Sequence, residues 1–477
     1  MDLYKKFNKN ILDIARITKK NKVLLSVSGG PDSLVMFDLS LRLREEFGIE
    51  FGVFHLDHQL REESEAEAEM VKKICEENKV EYWVEKEDIS KLKTKNTGSI
   101  EAIAREVRFK YLSQIYFNNK FDGVLTGHQA DDQIETVLFN LFRGSGLEGL
   151  SGMNVVSNYQ KMLLIKPLLN IWRKEIEAYC TEKGLNPNID KSNFTLEYTR
   201  NRIRNELIPY LEEHFNNSIK PTLFETINII SDEHKFINEI VNNSLAELIV
   251  ESGEEYLDLD IKRLYNEDIS IQRRIIRKAI SQVKGNLDGI YQKHINILTD
   301  AIKYEVETDK TGKTYQLPAG FKCRIEYNII SFRSESWYNN ISTYNRVFNN
   351  SGEFLLPDGS CFIFKEFAIN DINWGEASED KKVFIDYDEV NWPLILRHRK
   401  KGDRFKPLNM QGTKKVKDFF IDAKVPQHIR DRIPILVDGN GRIIWIVGER
   451  IDDRFKITSK TQKLLMLKYE LGKKGEF

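Results

Sequence analysis

Val23-Leu24-Leu25-Ser26-Val27 is a short, nearly unbroken apolar run, and Leu34, Val35, Phe37, Leu39 and Leu41 follow it as the apolar positions of an amphipathic stretch. The pattern predicts a buried strand running straight into a helix. The same succession recurs as far as Pro167. Strands are expected at Glu50 to Leu56, Val80 to Val84, Gly123 to Thr126 and Met162 to Ile165. Between them the spacing predicts a charged helix from Glu62 to Asn78 and a helix from Ile100 to Phe117 carrying Ile103, Val107, Tyr111, Leu112 and Ile115. A further helix continues through Val137, Leu138, Leu141 and Phe142, and an amphipathic one bearing Leu3, Phe7, Ile11, Ile14 and Ala15 precedes the first strand. Strands alternating with helices build an α/β fold with a doubly wound parallel, Rossmann-like sheet. Such sheets bind ligands beyond the carboxyl ends of their strands.

The pattern changes after residue 215, which closes the first expected domain (1–215). Leu223 to Ile249, Ile271 to Val283 and Ile290 to Tyr304 have helical character, so a mainly helical domain is expected over 216–345. It includes a hairpin from Thr314 to Phe332 around Leu317-Pro318-Ala319-Gly320. Residues 346–382 read as a connecting segment with an acidic stretch from Glu376 to Asp380. A small β-rich C-terminal domain is expected over 383–477, with strands Leu394 to Leu396, Ile433 to Val437 and Ile443 to Val447 and a turn at Asp438-Gly439-Asn440-Gly441.

Composition narrows the class. The chain has 477 residues, 41 % hydrophobic and 30 % charged, as in soluble proteins of several domains. No apolar run approaches the roughly 18 residues of a membrane span, so no membrane partner is expected. Met1 to Lys22 lacks the apolar core of a secretion signal. Cys75, Cys180, Cys323 and Cys361 are scattered singly with no C-x-x-C, which suggests neither a zinc ribbon nor an iron–sulfur site and points to reduced thiols in the cytoplasm. The net charge is −1, yet residues 391–477 carry 21 Lys and Arg against 10 Asp and Glu. A basic module on an acidic body suggests a polyanionic partner.

Three polar clusters sit at expected strand ends and should converge on one crevice. The first is Ser28-Gly29-Gly30-Pro31-Asp32-Ser33. Two glycines allow a tight turn close to a ligand, and the free N–H groups and dipole of the following helix make an anion site. No lysine follows the glycines, so the loop is not a Walker loop. The second cluster is His55-Leu56-Asp57-His58-Gln59-Leu60-Arg61. Alternate strand residues point to opposite faces, which argues against a metal site there and for nucleotide or RNA contact. The third runs from Gly127-His128 to Glu135-Thr136. Asp132 and Glu135 are three apart on one helix face, where two carboxylates can hold Mg²⁺ or an ammonium group. Arg105 and Arg108 have the same spacing on the preceding helix and are expected to face them.

These segments together resemble the tRNA(Ile)-lysidine synthase family, within the PP-loop ATP pyrophosphatases. The resemblance rests on S-G-G-P-D-S, H-L-D-H-Q-L-R, A-R-E-V-R-F at 104–109, G-H-Q-A-D-D-Q-I-E-T, R-G-S-G-L-E-G-L-S-G-M at 143–153, Tyr198 to Arg204 with Leu207-Ile208-Pro209, and Gly402-Asp403-Arg404-Phe405 with Lys414 to Asp422. It is strong over about 20–215, good over 390–460 and weaker over 220–345.

The resemblance implies an ATP-dependent, two-step ligation of free L-lysine to the wobble cytidine of tRNA(Ile) with a CAU anticodon, through an adenylated cytidine. ATP and Mg²⁺ are the implied cofactors, and a homodimer is one option for assembly. The implied ATP site is Ser28, Gly29, Gly30, Pro31, Asp32, Ser33, His55, Gly127 and His128, with Asp32 as the Mg²⁺ ligand. The implied lysine site is Arg108, Asp132 and Glu135, and these three with Asp32 carry catalysis. Contacts to tRNA fall to Arg61, Arg143, Arg200, Arg202, Arg204, Arg397, Arg399, Lys400, Lys401, Arg404, Lys414, Lys415 and Lys417. The alternatives are another PP-loop tRNA enzyme such as a thiolase, a glutamine-dependent synthetase, or a non-catalytic tRNA-binding protein.

Overall fold

The computed structural model describes residues 2–59, 64–93, 100–188, 196, 198–310, 312–339, 345–357, 359–371, 381–427 and 429–470. The chain forms two compact units, Met1–Asn238 and Glu239–Phe477, with the division inside the helix Ile219–Leu248.

The first unit is built on strands β1 (Lys22–Ser26), β2 (Glu50–Asp57), β3 (Glu81–Lys86), β4 (Gly123–Thr126), β5 (Val156–Tyr159) and β6 (Met162–Ile165). Their order across the sheet is β3-β2-β1-β4-β6-β5. All pairings are parallel except β5 with β6, an antiparallel edge that the sequence pattern did not reveal. The main helices are α1 (Leu3–Asn8), α2 (Pro31–Phe47), α3 (Ser64–Glu77), α4 (Ile89–Lys93), α5 (Ile100–Asn118) and α6 (Ala130–Phe142). Val23 and Leu25 pack into one core cluster with α1 and α2, and Leu24 packs into another with Phe109, Leu112 and Ile115 of α5. This alternation explains the run at Val23: a strand covered by helices on both faces needs no polar side. The direction of winding reverses between β1 and β4, which are neighbours. Their carboxyl ends therefore open a crevice at the sheet's switch point.

The second unit holds the helices Ile269–Lys284 and Gln292–Thr308 beside a five-stranded sheet. The expected hairpin is the part of that sheet formed by Lys313–Gln316, Lys322–Glu326 and Ile329–Arg333. Two further sheets, of five and four strands, enclose a core centred on Trp445, Phe362, Phe364 and Leu465. Asn345–Phe348, Gly352–Leu355 and Cys361–Ala368 belong to these sheets, so the segment expected as a connection supplies strands to the terminal β structure. Three of its aromatic residues, Phe348, Phe362 and Phe364, are fully buried. Lys463–Glu470 lies between two strands of the four-stranded sheet. Among the described residues, no helix is long and apolar enough to cross a membrane.

Candidate active site

The loop after β1 turns on Gly29, whose φ of +89° lies in the left-handed region. A Cβ there would meet only the flexible tip of Met70, Cε, at 3.1 Å, so it is the conformation that favours glycine. Gly30 caps α2 and Pro31 occupies its first turn, where the missing N–H costs nothing. Ser33 Oγ accepts hydrogen bonds from the backbone N–H of Ser28 (3.2 Å) and Gly29 (3.1 Å) and donates to Gly30 O at 2.9 Å. The hydroxyl thus occupies the nest of N–H donors expected for a phosphate group.

The loop after β4 closes on the same point. A Cβ on Gly127 would lie 3.4 Å from the Asp32 backbone carbon, from Asp32 Cβ and from Ser33 N. The two strand ends therefore pack in van der Waals contact at this point. Asp32 stands between them with its Oδ1 buried and without a hydrogen-bond partner. Burial, reinforced by the Asp132 carboxylate, pushes its pKa up to about 7. An orphaned acidic oxygen in this place fits a divalent cation. Among the described residues no cluster of three acidic, His or Cys side chains forms a metal site, so the ion would share its coordination with nucleotide phosphates.

His55, at the end of β2, is 2 % exposed. Its Nδ1 lies 2.9 Å from Val27 O, which fixes Nδ1 as the protonated nitrogen, and Nε2 is buried without a partner. Burial lowers its pKa, so it offers a neutral acceptor to the crevice. His128, at the end of β4, pairs through Nδ1 with Thr126 Oγ1 at 2.9 Å. Burial and then the charge of Lys166, followed by Arg108, Arg200 and Arg105, push its pKa down to about 3. It is neutral throughout the physiological range.

Gln129 caps α6 by accepting from Asp131 N at 2.7 Å, while Asp132 Oδ2 accepts from Gln129 N at 3.0 Å. Asp132 and Glu135 do share one helix face. Their described ion-pair partners, however, are Arg200 and Arg204, not Arg105 and Arg108. Arg200 donates to Glu135 Oε2 (2.9 Å) and Asp132 Oδ1 (3.1 Å). Arg204 donates to Glu135 Oε1 (2.5 Å) and Oε2 (3.0 Å) and to Asp132 Oδ1 (3.3 Å). The two arginines are four positions apart on successive helical turns (Thr199–Arg202, Ile203–Leu207), which puts both on the face that meets α6. Arg105 and Arg108 lie instead with their guanidinium carbons 5.0 and 5.9 Å from the ring of Phe109. Burial, and then Arg105, hold the Arg108 pKa down to about 10.

A cavity of about 960 Å³ opens beside these groups and is lined by Arg105, His128, Glu135, Arg143 and Arg200 among others. Lys166, directly after β6, also lines it and was not singled out from the sequence. Its place at the carboxyl end of a parallel strand was the available signal. Arg143 is exposed, with its guanidinium carbon 4.0 Å from the Phe139 ring centre. Arg202 pairs with Glu206 at 3.4 Å, and Arg61 lies outside the described residues.

In the second unit, Lys400, Lys401, Arg404, Lys415 and Lys417 are exposed. Arg397 is held by Asp403 at 2.8 Å, Arg399 by Asp431 at 2.6 Å and Lys414 by Asp422. Part of the basic character is therefore neutralised within the unit.

The chain matches a PP-loop domain over residues 3–211 and a TilS substrate C-terminal domain over 394–468. A tRNA(Ile)-lysidine synthase from Clostridium tetani (strain Massachusetts / E88) is 32 % identical, with 96 % of this chain and 97 % of that one aligned. The chain belongs to the tRNA(Ile)-lysidine synthase family. A second relative of that name, from Caldanaerobacter subterraneus subsp. tengcongensis, is 33 % identical over 95 % of this chain and 94 % of its own. Among solved structures, a U34-tRNA thiolase NcsA from Methanococcus maripaludis aligns with a TM-score of 0.41 at 18 % identity, covering 48 % of this chain and 78 % of that one. As a member of the tRNA(Ile)-lysidine synthase family the chain is an ATP-using, tRNA-modifying ligase.

Proposed function

We propose that this chain ligates the ε-amine of free L-lysine to C2 of the wobble cytidine of tRNA(Ile) with a CAU anticodon. In the first step the base's O2 attacks the α-phosphorus of ATP and pyrophosphate leaves. In the second the amine attacks C2, the C2–O2 bond breaks, O2 departs with AMP, and the amine loses its proton.

The observation that carries this reading is the packing of Gly127 against Asp32, where a Cβ on Gly127 would lie 3.4 Å from the Asp32 backbone carbon and Cβ, so the phosphate loop and the loop leading into the carboxylate helix share one crevice. Ser28 and Gly29 N–H groups would turn from Ser33 Oγ to the leaving pyrophosphate, aided by the α2 dipole. His55 Nε2 is an acceptor for a nucleotide N–H or hydroxyl. Asp32 would hold Mg²⁺ together with the phosphates, and the ion would supply charge neutralisation for the leaving group. Asp132 and Glu135 would receive the lysine ammonium by exchange with a guanidinium of Arg200 or Arg204, and Arg108, whose charge acts on His128, would assist. An anticodon base is unpaired already, so extruding it into the 960 Å³ cavity costs little. The exposed lysines of the second unit would contact tRNA phosphates.

Incubation of the protein with labelled lysine, ATP and this tRNA tests the reading. Label should enter the tRNA with one AMP and one pyrophosphate per lysine. ADP as the product, or no label in the tRNA, would refute it.

A further inference from the structure

Lys166 is 7 % exposed, a degree of burial lysine rarely reaches without a carboxylate partner. Here the ammonium has only neutral acceptors: Ser157 Oγ at 2.8 Å and Asn154 O at 3.2 Å. Among the described residues no carboxylate lies within ion-pair distance of it. Ser157 belongs to β5 and Asn154 to the irregular stretch before it, so the antiparallel edge of the sheet fixes the ammonium against the cavity wall. Its surroundings do not welcome the charge. Burial, and then Arg105, lower its pKa to about 8, which still leaves it mainly protonated at neutral pH. A buried, unpaired cation beside a cavity is a group awaiting an anion.

The phosphate loop already provides for pyrophosphate at the opposite side of β4, through its own N–H groups. The anion at Lys166 is therefore a different one. The same cavity is lined by Glu135, so it offers a negative group and a buried positive group together. A free amino acid with a cationic side chain has the complementary pair. Arg105, Arg143 and Arg200 line the same cavity, but Lys166 is the buried ammonium held between the neutral groups Asn154 and Ser157, and that short polar cradle matches a planar carboxylate.

We propose that Lys166 binds the α-carboxylate of the amino-acid substrate, making it a determinant of selection for a free amino acid over a plain amine. The proposal rests on the reading that free lysine is a substrate. It assigns Lys166 to the carboxylate end, leaving Asp132 and Glu135 to the amine.

The test compares L-lysine with cadaverine, the same primary amine without a carboxylate, in tRNA modification by the full chain. The wild type should prefer lysine. In Lys166→Met, kcat/KM for lysine should fall roughly tenfold or more while that for cadaverine holds, so the preference collapses. Lys166→Arg should retain part of the preference. Ser157→Ala, which removes one partner of the ammonium and leaves the lysine in place, should weaken the preference in the same direction even if Lys166→Met folds poorly. Adenylation of tRNA measured without any amine serves as the control for an intact nucleotide site. Equal losses for lysine and cadaverine would overturn the proposal, as would a raised KM for tRNA with the preference intact, which would make the anion a tRNA phosphate. A wild type that ligates neither amine would remove the functional reading itself.

Discussion

Arg204 grips Glu135 end-on: its Nε donates to Oε1 at 2.5 Å and its Nη2 to Oε2 at 3.0 Å, around a carboxylate that is completely buried. Arg200 completes the fork from the side. These two arginines hold the turn at 199–207 onto α6.

Glu135→Gln keeps the shape and turns one acceptor into a donor that faces a guanidinium. Removing one side of a buried pair leaves the other uncompensated, so thermal stability should fall by several degrees. If the carboxylate also receives the lysine ammonium, the KM for lysine should rise by roughly ten- to a hundredfold while the ATP KM moves much less. The opposite split, with the ATP KM raised and the lysine KM unchanged, would place the pair at the nucleotide.

Asp32→Asn should abolish adenylation and, in the absence of nucleotide, stabilise the fold at neutral and higher pH. The Asp32 carboxyl is pushed from 3.8 up to about 7 by burial and by Asp132. The folded chain therefore binds this proton more readily than the unfolded one, and the contribution costs stability as pH rises through that interval. The melting temperature of Asp32→Asn relative to wild type should climb between pH 4 and pH 7 and level off above. A difference that is flat with pH would mean the carboxylate has a partner in solution.

Gly29→Ala forces an L side chain to φ +89° with Met70 Cε 3.1 Å away. The left-handed conformation alone costs about 1–2 kcal/mol. The variant should melt lower and show a raised ATP KM. Gly184→Ala, also left-handed at φ +64° but with open space around the added Cβ, should melt lower with the ATP KM unchanged.

Contact with tRNA by the second unit is best tested by point substitution. Deleting 391–477 would remove Lys463–Glu470, which pairs on both sides within its sheet, and unfold the unit. Replacing Lys400, Lys401, Lys415 and Lys417 by Ala leaves the core intact, since all four are exposed. Affinity for tRNA should fall, and the slope of log affinity against log salt should flatten by roughly 0.7–0.9 per lost phosphate contact. An unchanged slope would make these lysines a solvated face.

The first unit was legible in the sequence because its strands are buried on both faces. Val23 to Val27 and Gly123 to Thr126 read as strands without knowledge of their neighbours, and the polar clusters at their ends marked the crevice. The partnership across it was not legible. Arg200 and Arg204 stand among the tRNA contacts that the resemblance implies, while their pairing with Asp132 and Glu135 is a contact between residues 65 to 72 positions apart. Lys166 was passed over for a similar reason: a single lysine after a strand shows its burial only once β5 folds back on β6. In the second unit Cys361–Ala368 and Lys463–Glu470 were missed as strands of one sheet, because their pairing spans about a hundred residues.

In the proposed reaction one crevice performs adenylation and then amine transfer. Rapid-quench analysis with ATP labelled at the α-phosphate tests it most directly. With tRNA(Ile) of CAU anticodon and no lysine, label should become covalently attached to the tRNA. Adding lysine should release that label as AMP within a single turnover. Label that never joins the tRNA, or AMP release at the same rate without lysine, would contradict the account.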